Sequence, residues 1–351
     1  MTRKFILITL TLFLTTTAYL PAERIGLLPG ILEPDGFQIS DSEVFILEGA
    51  TVSVFDLATL SLKRRFGREG QGPGEVEITP WLSNTLLIST DRTAIDSANK
   101  LVLYTRDGKL IREKLRQPQF TQVVPWGENY AVRLRIAGTE KDPKQYSSIL
   151  ILSGETNDLR ELYRQPFAAQ REQLDMIPDS IHFQVHENNL YVEKSPEGFV
   201  IDVYDPVGRK IREIRREYEK RPVTSADRLL CEQLLKEDPM MNIQEENWEL
   251  FKTRTQLKYP ESFPAIRDFV IADDRIYVQT FQSNEAGDEF LVLDLEGKLH
   301  RSVFLPKVRE PGFTERMMGI GVRLFCINEG RYFYLKELTE GCELHMEVLS
   351  N

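Results

Sequence analysis

The chain has 351 residues, 41% of them hydrophobic and 28% charged, which is enough apolar material for a real core and excludes a disordered protein. Its formal charge of -10 argues against nucleic acid or another polyanion as the main partner, because phosphate binding needs clustered Lys and Arg. Cys231, Cys326 and Cys342 are an odd number, so at least one is expected free or paired between chains, and their spacing suggests no metal site.

The first 22 residues have the three regions of an export signal. Thr2, Arg3 and Lys4 form a charged start, Phe5 to Leu14 an apolar run, and Thr15 to Ala22 a small-residue exit with cleavage expected after Ala18 or Ala22. The apolar run is shorter than the roughly 20 residues of a membrane span. Export and removal are expected, which places the chain outside the cytoplasm, secreted or periplasmic. Losing Arg3 and Lys4 takes the charge from -10 to -12.

Residues 23–351 read as short strands with a recurring turn. Val203-Tyr204-Asp205-Pro206-Val207-Gly208 and Val292-Leu293-Asp294-Leu295-Glu296-Gly297 each end an apolar strand in Asp, turn at Gly and resume as a second strand. Variants occur at Asp56, Thr105 and Ser153. The equivalent positions 56, 105, 153, 205 and 294 are separated by 49, 48, 52 and 89 residues, so one period carries an insertion of about 40. A period near 50 made only of strands predicts an all-β propeller of four-stranded blades, six in number. Blade one is expected from Gly36 to Phe66, two from Val76 to Leu115, three from Phe120 to Tyr163, four from Ile181 to Tyr218 and five from Ile266 to Phe304. Blade six begins near Gly321 and lacks an outer strand, a place that Glu23 to Leu28 is predicted to fill, closing the ring.

The insertion, residues 221–264, is predicted helical. Thr224 with Asp227 marks a first helix start, Leu229, Leu230, Leu234 and Leu235 form its stripe, and Pro239 ends it. Asn242 with Glu245 would cap a second helix carrying Ile243, Leu250, Phe251 and Leu257. The basic run from Arg209 to Arg221 is interrupted by Ile211, Ile214 and several Glu and reads as a solvated outer strand.

The segment Phe66-Gly67-Arg68-Glu69-Gly70-Gln71-Gly72-Pro73-Gly74-Glu75-Val76 resembles the Gly-rich loop that ends blades of bacterial six-bladed propellers related to NHL-repeat and TolB-like proteins. The Asp-x-x-Gly hairpins and Phe263-Pro264-Ala265-Ile266-Arg267-Asp268 resemble the same group. The resemblance implies fold and says little about function. A phosphate cradle is disfavoured for this loop, because no helix follows it; Val76, Glu77 and Ile78 read as a strand instead.

Catalytic signatures are missing from the sequence: it has no Gly-x-Ser-x-Gly and no His-Glu-x-x-His. His182 and His186 fall on one predicted strand, roughly 13 Å apart at about 3.3 Å per residue, too far to share an ion. The favoured expectation is a non-enzymatic binding or scaffolding propeller for a protein, peptide or carbohydrate, without cofactor. The alternative is a calcium- or zinc-dependent hydrolase or lyase of the lactonase or esterase kind, with Glu77, Gln122, Gln184 and Asp268 as polar inner-strand positions. Loop lengths place the ligand on the face of the long loops, between the Gly-rich loop and the helical insertion. The expected contacts are Arg68, Glu69, Gln71, Glu75 and Trp81 on one side and Glu245, Glu246 and Trp248 on the other.

Overall fold

The chain is described here as a computed structural model covering residues 23–79, 83–89, 91–117, 119–170, 172–241, 243, 247–319 and 322–349. Met1 to Ala22, the expected signal, lies outside the described residues, as do Trp81, Asn242, Glu245 and Glu246. No described helix is long and apolar enough to cross a membrane.

Strand β1 (Glu23–Leu28) precedes a series of four-stranded antiparallel meanders. Sheet one is β2 (Gly36–Ser40), β3 (Glu43–Glu48), β4 (Thr51–Asp56) and β5 (Leu62–Phe66), and sheet two is β6 (Thr85–Ile88), β7 (Arg92–Asp96), β8 (Lys100–Thr105) and β9 (Leu110–Leu115). Sheet three is β10 (Phe120–Trp126), β11 (Asn129–Ile136), β12 (Tyr146–Leu152) and β13 (Leu159–Pro166). After two short strands, β14 (Ala169–Gln170) and β15 (Gln173–Asp175), comes sheet four with β16 (Phe183–His186), β17 (Asn189–Glu193), β18 (Phe199–Tyr204) and β19 (Lys210–Arg216). Helices α1 (Ser225–Glu237) and α2 (Trp248–Arg254) and strand β20 (Gln256–Lys258) follow. Sheet five is β21 (Asp268–Ala272), β22 (Arg275–Asn284), β23 (Gly287–Asp294) and β24 (Leu299–Leu305); then come α3 (Phe313–Met318) and β25 (Phe325–Asn328), β26 (Arg331–Leu338) and β27 (Gly341–Val348). β1 pairs antiparallel with β27, Arg24 opposite His345 and Leu28 opposite Cys342, and so supplies the outer strand of sheet six.

The middle strands of each sheet carry near-continuous apolar runs because neighbouring sheets cover both their faces. β4 (TVSVFD), β8 (KLVLYT) and β18 (FVIDVY) are buried almost throughout, whereas outer strands such as β19 (KIREIRR) are largely polar and exposed. The basic residues of β19 are answered there by acids, Lys210 by Asp202 and Glu213, Arg215 by Glu213. The recurring turn closes on Gly108, Gly208 and Gly297 in sheets two, four and five, and runs one residue longer at Asp56 and Ser153 in sheets one and three. Asp205 Oδ1 accepts N–H groups from Val207 and Arg209, and Gly208 sits at φ 72°, a backbone that favours glycine. A register shift appears beside this turn in sheets one to five, at Val54/Phe55, Leu103/Tyr104, Ile149/Leu150, Val203/Tyr204 and Val292/Leu293.

Apolar layers lie between successive sheets, from Leu47 with Val102 between sheets one and two to Phe290 with Tyr332 between five and six, and a further layer joins Phe333 and Leu344 of sheet six to Phe37 and Ile46 of sheet one. The first strands of the sheets face inward, and β25 lies against β2. Side chains staple neighbours together: Asp96 accepts from Val123 N at 2.9 Å, Trp126 Nε1 donates to Asn188 O at 2.6 Å, and Gln184 accepts from Ile271 N at 2.9 Å. The molecule is a β-propeller.

Three expectations need correction. The first strand of sheet two is Thr85–Ile88; Val76 makes a single parallel bridge to Glu69, since its N–H donates to Arg68 O and its carbonyl accepts from Gly70 N. The second helix starts at Trp248, and Leu257 lies in β20 opposite Leu174, because the chain turns extended at Thr255. Sheets four and five begin at Phe183 and Asp268, each two residues after the predicted start.

Candidate functional site: the capped mouth of the ring

In an antiparallel meander the turns after first and third strands emerge at one end of the sheet, and the turns after second and fourth strands at the other. The first set is short everywhere. On the other face three long connections meet and build a cap: residues 167–182 between sheets three and four, 217–267 between four and five, and 306–324 between five and six. The Thr224 and Asp227 capping box starts α1, and Arg221 holds Asp227 at 2.8 Å. α1 turns Cys231 and Leu235 inward, where they pack with Leu174, Met176, Trp248, Phe263 and Phe313 from all three connections. β15 pairs in parallel with β20, and β14 completes a small three-stranded sheet. Asp238, 6% exposed, accepts both the N–H and the hydroxyl of Thr314 at 2.6 and 2.9 Å, tying α1 to the start of α3.

Beneath the cap lies a cluster of ionisable groups. Arg133, fully buried, donates to Thr121 Oγ1, Ile181 O and Gly319 O, and Ser180 Oγ donates to Arg316 O, so sheet three and the 167–182 connection grip the far end of α3. Burial pulls the Arg133 guanidinium down to about 10. Asp268 receives two bonds from Arg323 Nη2, at 2.6 and 2.7 Å, and lies 3.4 Å from His182 Nδ1. Burial pushes this carboxyl up, but Arg323 and His182 together hold it below the usual range; burial pulls His182 down to about 4, leaving it neutral near pH 7.

Glu193, at the end of β17, is 1% exposed, and among the described residues neither carboxylate oxygen has a hydrogen-bond partner. Burial, then the negative charges of Asp179 and Asp268, push it well above the ordinary carboxylate range. Burial likewise pushes Asp179 up to about 7, and Asp179 lines a water-sized cavity of about 10 Å³ with Arg133, Gln165, Ser180 and Met317. Burial thus favours the protonated forms of Glu193 and Asp179, whereas Asp268 is held ionised beside Arg323.

The Gly-rich loop has a structural explanation. Glu75 folds its own carboxylate back into the loop, accepting Gly72 N at 2.7 Å and pairing with Arg68 at 2.7 Å. A Cβ on Gly70 would collide with that carboxylate, and Gly70 also sits at φ 149°. The buried Lys100 amine donates to Gly72 O at 2.7 Å and pins the loop to sheet two.

Of the expected ligand contacts, Arg68 is exposed but paired with Glu75, Glu69 bridges to Val76, and Gln71 is exposed at the loop tip. Trp81, Glu245 and Glu246 lie outside the described residues. Trp248, expected among the ligand contacts, is 5% exposed: it stacks on Phe251 and carries Lys236 and Lys252 amines 4.9 and 5.5 Å from its ring. The insertion needs its own apolar core, and Trp248 fills it. Of the inner-strand positions considered for metal, Gln184 is spent on Ile271 and Asp268 on Arg323. His186 lies beside Asp274 at 3.6 Å, with Glu187, on the short-turn face. Sequence reasoning passed over Arg133, Asp179 and Glu193; the signal was there for Glu193, an acid ending the otherwise apolar run Leu190-Tyr191-Val192.

No protein-family model and no curated protein matches the chain. Among solved structures it is similar to the Cps50 (Swd1) β-propeller domain of Myceliophteria thermophila, at 13% identity and a TM-score of 0.43, over 93% of this chain and 100% of that one. It is also similar to the N-terminal domain of Nup159, at 12% identity and 0.40 over 93% and 94%, and to BamB from Moraxella catarrhalis, at 11% and 0.35 over 92% and 85%. These likenesses are too distant to carry a ligand or an activity across.

Proposed function

We propose that this chain is an exported, non-enzymatic binding or scaffolding protein: a six-bladed propeller of residues 23–351, akin to NHL-repeat and TolB-like propellers, that recognises a protein, peptide or glycan through its capped face. The cycle of six apolar layers supports the blade count, with the three-stranded sheet belonging to the cap. The observation that carries the binding reading is the asymmetry of the two faces. One face has only tight turns, while the other invests about 80 residues of helix, strand and loop with a separate apolar core.

The test is site-specific photo-cross-linking in extract of the native host. Probes at Gln71 and Glu285 report the capped face, and probes at Val207 and Glu296 the opposite one. Adducts are expected from the first pair alone; equal adducts from both pairs, or adducts from the second pair alone, overturn the proposal.

A further inference from the structure

On the face opposite the cap, the first turns of sheets four and five come together. Each is a two-residue turn with both residues at positive φ, Glu187 at 45° and Asn188 at 63° in one, Asp273 at 51° and Asp274 at 53° in the other. Such tight turns leave the backbone little freedom and fix the directions in which their side chains depart. Each is also held by the next sheet along: Trp126 of sheet three donates to Asn188 O, and Asp273 accepts Glu329 N and Gly330 N of sheet six at 3.1 and 2.7 Å. At the meeting point, ligand atoms of His186, Glu187 and Asp274 lie within 4.8 Å of one another.

The imidazole is the telling group. His186 Nε2 is shut off from solvent and, among the described residues, has no hydrogen-bond partner, although Asp274 Oδ1 lies 3.6 Å away. That separation is too long for a hydrogen bond. It suits two ligands of a common ion, because a nitrogen and an oxygen each about 2.0–2.1 Å from zinc stand about 3.3–3.6 Å apart at angles of about 110–120°. Glu187 and Asp274 are exposed, so rotation of their side chains can complete the approach. One imidazole with two carboxylates fits an ion of the zinc class with water in the remaining position, whereas calcium would need six to eight oxygens. Side chains bridge neighbouring sheets elsewhere on this face, as Arg106 does to Ser40 Oγ between sheets two and one. Sheets four and five are the pair separated by the longest connection, residues 217–267, and an ion here would join them.

We propose that His186, Glu187 and Asp274 bind a divalent ion of the zinc class, which ties sheet four to sheet five on the uncapped face. The site stands apart from the cap and does not depend on the binding role assigned above.

The experiment uses the full mature chain, stripped of metal by a chelator and titrated calorimetrically with zinc. One equivalent should bind, and the melting temperature should rise with zinc concentration, since an ion that binds only the folded state stabilises it. His186→Ala should weaken binding at least tenfold and Asp274→Asn several-fold, with the rise in melting temperature reduced to match. Asp274 is 77% exposed, so its variant reads out the site even if the loss of His186 disturbs folding. His300→Ala and His345→Ala, whose imidazoles lie beside Asp294 and Glu343, should bind zinc as the parent does. Failure of the parent to bind zinc, or binding by either site variant as tight as that of the parent, overturns the proposal. Calcium binding as tightly as zinc overturns the choice of ion.

Discussion

Asp96 and Arg116 form an ion pair at 2.9 Å in which each side chain is only 2% exposed. Asp96 ends β7 and also accepts Val123 N of sheet three, so one carboxylate joins two sheets. Burial still pushes Asp96 up to about 6 against the pull of Arg116. Removing one partner of such a pair strands the other charge. Asp96→Ala should cost about 3–5 kcal/mol in chemical denaturation, whereas Asp96→Asn, which keeps an acceptor for Val123, should cost less. Equal losses in the two variants would show that the charge contributes nothing.

Glu193 predicts the opposite sign. Its carboxyl and that of Asp179 are raised in the fold, so the folded state binds more protons than the unfolded one; their contribution is full below the ordinary carboxylate range and lost as pH rises through the folded values, about 7 for Asp179. His182, lowered to about 4, runs the other way between pH 4 and 6.5, so the informative quantity is the difference between parent and variant. Glu193→Gln removes a charge penalty and should raise stability by about 1–3 kcal/mol at pH 8 and by little at pH 5. Thermal melts across that range check it. A variant less stable at pH 8 would mean that Glu193 is held charged by a ligand.

The Gly-rich loop separates two neighbouring charges. Glu75→Ala leaves Gly72 N without its acceptor and should cost about 1–2 kcal/mol. Arg68→Ala, whose side chain is 76% exposed, should stay within about 0.5 kcal/mol. Urea titration of both variants tests whether the loop is held from within.

The two ends of the chain give a further pair of expectations. Mass spectrometry of protein from the native host should find a mature N-terminus between Tyr19 and Glu23. Starting the chain at Pro29 removes β1, leaves β27 as an open edge, and should lower the melting temperature markedly and promote aggregation. A truncated chain that stays monomeric with its melting temperature unchanged would show the closure to be dispensable.

What the sequence made legible was local. Asp205 with Gly208 and Asp294 with Gly297 write their turn within six residues, so the hairpins, the period and the strand series could be read directly. Thr224 with Asp227 did the same for α1. Val76 misled because an apolar residue after a glycine run looks like a strand start, and only the folded loop shows its backbone groups already taken by Arg68 and Gly70. Trp248 misled for a different reason: a tryptophan among glutamates suits a binding surface or a small satellite core, and the neighbours that decide, Cys231 and Phe313, are distant in the chain. The cluster of Arg133, His182, Glu193 and Asp268 draws on three sheets and has no spacing by which to be found.

The pairing of β1 with β27 also constrains the order in which the molecule can be made. Arg24 and Glu343, bonded at 2.7 Å, are 319 residues apart. β1 is therefore made long before β27, its partner, and until β27 is made β1 lacks its neighbour. The entropy of closing so long a loop grows only logarithmically, so the obstacle is one of waiting time rather than of equilibrium. The ring is expected to fold slowly, with its final closure as the late step, and the incomplete chain to expose unpaired strand edges until then.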